Sequence, residues 1–197
     1  SSAASDVYKR QVLISQTGSE VIAISEKLGI LPSLVVTNNI TKISPRNMEI
    51  FGENNVEICT IPSKPSLVNY LRTRINLKKL ITLHGYLRIL PSDFFHYLEG
   101  EIFNGHPGLI TVYPELKGFN KQEDIAGNQE KYPICGSVVH KVIPELDSGE
   151  VVVVHGTANT ANTIDEAYAL LRETSLKSWE TFFKSWLAED KSLFLTK

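Results

Sequence analysis

The sequence predicts an α/β protein with an open, mostly parallel sheet and helices on both faces. Short apolar runs of strand length recur at "QVLIS" (11–15), "LVVTNN" (34–39), "VEICTIP" (56–62) and "KLITLHG" (79–85). Segments with helical spacing fall among them, and strands that alternate with helices pair in parallel through crossover connections. No apolar run reaches the roughly 18 residues a membrane span needs, so these runs belong to a folded core.

Each element has its own signal. The first strand stops at Gly18 and Ser19, a turn in which Ser19 suits a helix cap. "EVIAISEKLG" (20–29) then sets Val21, Ile24 and Leu28 at helical spacing and ends at Gly29. "SLVNYLRTRI" (66–75) reads as a helix, and "SDFFHYLEG" (92–100) as a short capped one. "EIFNGHP" (101–107) is a strand running into a loop. Alternate residues of a strand share a face, so Asn104 and His106 point to one side. The long loop 108–134 holds a short helix at 120–126. "CGSVVHKVI" (135–143) and "EVVVVHGT" (150–157) are strands joined through the polar turn "ELDSGE" (145–150). The last helix, 163–187, lines Ile164, Ala167, Leu171, Trp179, Phe182, Phe183 and Trp186 along one stripe. In open parallel sheets the ligand sits beyond the carboxyl ends of the strands. "SQTGSE", "HGYLRIL" and "NGHPG" all fall there.

Composition narrows the function. At 197 residues the chain suits one domain, expected over 11–197, with 1–10 read as a disordered or non-native leader. The 20 basic and 22 acidic side chains leave a formal charge of -2 without a basic run, which argues against a nucleic-acid partner. Cys59 and Cys135 form no CxxC pair, which fits a reducing cytoplasm better than a disulfide or structural zinc scaffold. The histidines lack metal-ligand spacing, so no metal is expected. His84 and His140 sit inside apolar strands and read as hydrogen-bonded core residues, and Cys135 reads as inert. "TGSE" alone is a strand-to-helix turn.

Together, "VLISQTGSE", "HGYLRIL", "FNGHPGLI" and "VVHKVIPELDSGEVV" resemble the folate-dependent formyltransferases, in order and near their spacing, over residues 11–187. The resemblance implies a Rossmann-like core that moves a formyl group from 10-formyltetrahydrofolate, a co-substrate, to an amine. Phosphoribosylglycinamide, a phosphorylated small molecule, is the first candidate. It implies that Asn104 and His106, the latter as imidazolium, donate to the developing oxyanion. One such donor is typically worth about 3–4 kcal/mol of barrier. Asp147 would keep His106 charged and relay the proton. Leu87, Arg88, Ile89 and Leu90 would receive the pterin, with Phe95 as an apolar wall. Val142, Ile143, Pro144, Glu145 and Leu146 would close over it. Gly18, Ser19 and Glu20 would meet the substrate phosphate, although the family has Gly-Ser-Asn there. A carboxylate beside a phosphate is repulsive unless it turns away. Thr174 and Ser175 match the contacts to the acceptor amine. The alternatives are an amino-sugar nucleotide, methionyl-tRNA or water as acceptor, or a folate- or nucleotide-binding module without catalysis. Against methionyl-tRNA stand the end of the sequence at Lys197 and the missing basic patch. The oligomeric state stays open between monomer and homodimer.

Overall fold

The computed structural model describes residues 10–61, 64–74 and 79–188. The strands are β1 (Gln11–Ile14), β2 (Leu34–Thr37), β3 (Glu57–Thr60), β4 (Ile81–His84), β5 (Ile102–His106), β6 (Ile134–Lys141) and β7 (Val151–Ala158). The helices are α1 (Ser19–Leu28), α2 (Pro45–Glu53), α3 (Lys64–Arg74), α4 (Ser92–Phe95), α5 (Lys121–Ile125) and α6 (Ile164–Leu187). The hydrogen-bonded strand order is β3-β2-β1-β4-β5-β6-β7. β1 pairs in parallel with β2 and with β4, and β2 with β3; β6 and β7 are antiparallel. This is the mostly parallel α/β sheet that the alternating pattern predicts.

The described residues divide into two compact units, 10–104 with 186–188, and 105–185. In the first, β1, β2 and β4 are buried throughout, as expected of parallel strands covered on both faces. Val12, Ile14, Val21, Ile22, Val35 and Phe51 pack as one apolar cluster. In the second, Leu109, Ile110, Leu116, Ile125, Cys135, Val138 and Leu171 form another. Trp179 stacks on Phe183, and Phe182 meets both edge-on, so the aromatic stripe of the last helix is a core face.

Three differences from the sequence reading are local. Helix α2 has no counterpart in it. Ser44 caps it by accepting from Asn47 N, Pro45 occupies its first turn, and Phe51 is buried. Helix α4 ends at Phe95, well short of Gly100. Residues 1–9 of the expected leader, Pro62 of the third strand and Ile75 of the 66–75 helix lie outside the described residues. Arg10, counted with that leader, is fully buried. Among the described residues, no helix is long and apolar enough to cross a membrane.

Candidate active site

Strand β5 places the first functional side chain of the second unit. A Cβ on Gly105 would lie 2.5 Å from Nε1 of Trp179, so only glycine lets β5 and α6 approach this closely. His106 follows, 3% exposed. Its Nε2 donates to the Leu116 carbonyl at 2.7 Å, which fixes one ring proton there. The other nitrogen, Nδ1, stands 3.4 Å from Oδ2 of Asp147. A Cβ on Gly108 would be tight, 3.2 Å from Leu116 O and 3.3 Å from His106 Nε2.

Asp147 comes from the turn between β6 and β7 and has a left-handed backbone, φ 47. Gly118 N donates to its Oδ2 at 2.9 Å. Lys117 Nζ donates to the neighbouring Ser148 Oγ, also at 2.9 Å, so two bonds latch this turn to residues 117–118. Oδ1 of Asp147 lies 3.5 Å from Nε2 of His140, whose Nδ1 donates to its neighbour's carbonyl, Lys141 O, at 2.9 Å. His140 is therefore hydrogen-bonded and buried, as expected of a core histidine, but its second nitrogen faces the Asp147 carboxylate. The sequence reading missed that contact.

Burial pushes His106 below its ordinary value; the Asp147 charge and the Leu116 carbonyl oppose this, while His140 and Lys121 add to it. Burial thus works against the imidazolium expected from the sequence, while the Asp147 carboxylate and the Leu116 carbonyl work for it. Burial works against the charge of Asp147. The hydrogen bond from His140, the nearby His106 and the Gly118 N–H together outweigh it and hold the carboxyl below its usual range. Asn104 lies two residues before His106 on β5 and is partly exposed.

The first unit carries the turn after β1. Gly18 adopts φ 76, and no side chain caps α1. Asn47 Nδ2 pins the turn by donating to Thr17 O at 2.8 Å and to Ser19 Oγ at 3.2 Å. Glu20 leaves the turn: its Oε1 is 2.8 Å from Nδ1 of the buried His84. His84 Nε2 is 3.4 Å from Nη1 of Arg10 and 2.9 Å from Thr82 Oγ1. A guanidinium only donates, so Nε2 accepts, Nδ1 carries the proton, and the neutral ring links a cation to an anion. Burial pushes His84 down, against the pull of Glu20 and with the push of Arg10. Burial also lowers Arg10 to about 9, with Glu20 opposing.

The residues expected at the pterin divide between the units. In the first, Leu87 and Ile89 are each 48% exposed, Arg88 and Phe95 are partly buried, and Leu90 is buried. Leu87 N donates to Ser15 Oγ at 2.9 Å, which ties this segment to the end of β1. In the second, Val142 and Ile143 are partly buried, while Pro144, Glu145 and Leu146 are exposed. Thr174 does not face a substrate. It is 3% exposed, and its hydroxyl bonds Leu170 O, Leu171 O and Ser137 Oγ, so it serves the packing of α6 on β6. Ser175 is buried too.

Comparison with known proteins identifies the family. A family model described as formyl transferase matches residues 70–175, more than half of the chain. The phosphoribosylglycinamide formyltransferase of Haemophilus influenzae is 29% identical over 113 residues, 57% of this chain and 50% of that protein. The chain thus spans about half of that relative, and less of several others. The Dictyostelium discoideum phosphoribosylglycinamide formyltransferase is 28% identical over 165 residues, 72% of this chain and 79% of that protein. The crystal structure of phosphoribosylglycinamide formyltransferase from Anaplasma phagocytophilum superposes with a TM-score of 0.75 at 23% identity, covering 92% of this chain and 87% of that one. The chain belongs to the formyl transferase family.

Proposed function

We propose that the protein moves a formyl group from 10-formyltetrahydrofolate to the amine of phosphoribosylglycinamide, with Asn104, His106 and Asp147 as its catalytic residues. The observation that carries this reading is the gap between His106 Nδ1 and Asp147 Oδ2, 3.4 Å wide and buried. With the ring neutral and the carboxyl ionised, two lone pairs face each other across it. Such a gap takes up a proton readily. The amine nitrogen attacks the formyl carbon, the new C–N bond forms, and the carbonyl electrons move onto oxygen. The proton released by the amine enters the gap, so an imidazolium appears when the oxyanion is most negative. The Asn104 amide donates to that oxygen. Collapse breaks the bond to the folate nitrogen, which takes the proton; the products are the formylated amine and tetrahydrofolate.

Binding follows from the same residues. The first turn of α1 would meet a phosphate at the Gly18 N–H and, in place of its present bond to Thr17 Oγ1 at 3.3 Å, at the Ser19 N–H. Glu20 does not repel it there, because its carboxylate is directed at His84. Leu87 and Ile89, each 48% exposed, leave apolar surface for one flat ring. The test follows loss of the formyl group from 10-formyl-5,8-dideazafolate while phosphoribosylglycinamide, an amino-sugar nucleotide and methionyl-tRNA are offered in turn. Turnover is expected with the first. Turnover with the amino sugar alone would move the acceptor, and no turnover with any amine or with water would end the transferase reading.

A further inference from the structure

We propose that His84 is a positioning residue for substrate binding: it holds the Glu20 carboxylate off the turn that meets the phosphate, a turn this carboxylate would itself occupy. The inference rests on the reading of Gly18 and Ser19 as the phosphate turn, and it names what keeps that turn open in this chain. N–H groups in the first turn of a helix have no carbonyl partner within it, and the partial positive charge there attracts an anion in reach. Glu20 is the second residue of α1, so its carboxylate is tethered beside that turn. A tethered anion competes with a phosphate for the same N–H groups and repels it.

Here the carboxylate leaves the turn. Its Oε1 lies 2.8 Å from Nδ1 of His84, whose side chain is 1% exposed. The ring does not turn over, because Nε2 faces the hydroxyl of Thr82 at 2.9 Å and the guanidinium of Arg10 at 3.4 Å, both donors. Only Nδ1 is left to donate, and it donates to Glu20. The turn keeps its shape without the carboxylate. Asn47 Nδ2 donates to Thr17 O and to Ser19 Oγ, and Ser44 N donates to Thr17 O at 3.4 Å. All of these groups belong to the first unit.

Two variants at position 20 separate contact from charge and leave the ring in place. In Glu20→Asp the charge stays, but the shorter stem falls short of Nδ1, so the carboxylate is expected to settle on the turn. In Glu20→Gln the amide oxygen still accepts from Nδ1, and no charge remains. The first readout needs neither ligand nor turnover: the Gly18 and Ser19 amide signals are followed by NMR through the carboxyl titration. They are expected to move further in Glu20→Asp than in wild type, and equal movement overturns the proposal. The second readout is binding of ribose 5-phosphate. It is expected to be about twofold to fivefold weaker in Glu20→Asp and no weaker than wild type in Glu20→Gln. Equal weakening in both variants also overturns the proposal, because the carboxylate would then be aiding the ligand. His84→Ala should weaken binding as Glu20→Asp does, and adding Glu20→Gln to it should restore binding. In turnover the same loss is expected in KM for phosphoribosylglycinamide, with KM for the formyl donor unmoved. If the wild type binds no ribose 5-phosphate, the phosphate reading of the turn fails on its own, and the amide signals still decide whether His84 keeps Glu20 away from it.

Discussion

In the first unit His84 meets Glu20 at 2.8 Å; in the second His106 meets Asp147 at 3.4 Å. Both rings are buried, and burial lowers the proton affinity of both. They differ in what occupies the remaining atoms. His84 donates to Glu20 at one nitrogen and faces the donors Arg10 and Thr82 at the other, so each of its nitrogens has a complementary partner. His106 donates from Nε2 to a carbonyl, and its bare Nδ1 faces a carboxylate that has nothing to donate. The first arrangement is complete and resists change. The second lacks one proton, and a group that lacks one proton can take part in proton transfer. On the proposed function, these two histidine–carboxylate pairs divide into a structural one, His84 with Glu20, and a reactive one, His106 with Asp147.

Removing a carboxylate should separate them most sharply. Asp147→Asn keeps the shape of the turn but cannot hold the proton, so kcat for formyl transfer should fall by about 10²–10⁴, while the urea midpoint barely moves. The opposite pattern is expected at the other pair. His84→Ala leaves a buried guanidinium without the ring that links it to Glu20. Removing a buried hydrogen-bonding side chain so that its partners' groups lose a bond costs about 1–3 kcal/mol. Urea unfolding should show that loss, while kcat of the protein that remains folded stays close to wild type. If His84→Ala instead lost kcat at unchanged stability, the structural reading of that pair would be wrong.

Gly105→Ala sharpens the same contrast from the backbone. The added methyl would lie 2.5 Å from Trp179 Nε1, so strand or helix must shift. Overpacking of this kind costs about 1–3 kcal/mol. Because the shift falls next to His106, kcat should drop together with stability, and unaltered kcat would show that the ring is positioned by the Leu116 carbonyl alone.

Much of this was legible in the sequence, for identifiable reasons. The buried strands announce themselves because a parallel strand covered on both faces is apolar at every position, as in Val12–Ile14 and Ile81–Leu83. Asn104 and His106 stand out by their alternate spacing on a strand, whereas Asp147 is reached only through the resemblance to the formyltransferases. The His84 pair does not, because Arg10 and Glu20 lie 74 and 64 residues from it in the chain and no local pattern joins them. His140 is hidden differently. It sits in a strand buried over six consecutive positions, so burial cannot reveal which partner its ring meets. Helix α2 was legible through Ser44 and Pro45 and through Met48, Ile50 and Phe51, whose side chains pack on the core of the first unit.

The smallest expected effect is on acid stability, and its sign follows from the histidines. His84 binds its proton less readily in the folded protein than at its ordinary value of 6.5. Below that value the unfolded chain therefore takes up more protons than the folded one, and stability falls as pH drops toward the folded value. His106 shifts in the same direction and adds to the fall; His155 does so too, more weakly because it is more exposed. One such histidine contributes at most about 1.4 kcal/mol per pH unit. Asp147 acts elsewhere: its carboxyl is lowered from 3.8, so its contribution is kept above that value and lost only in stronger acid. In His84→Gln the amide can still bridge Arg10 and Glu20 but cannot titrate. Urea unfolding at about pH 7.5 and about pH 5 should therefore show a smaller acid loss than in wild type, with the remainder assigned to His106 and His155. An acid loss as large as that of the wild type would mean that His84 does not titrate on unfolding, and the neutral, fully bonded ring that sets it apart from His106 would have to be given up.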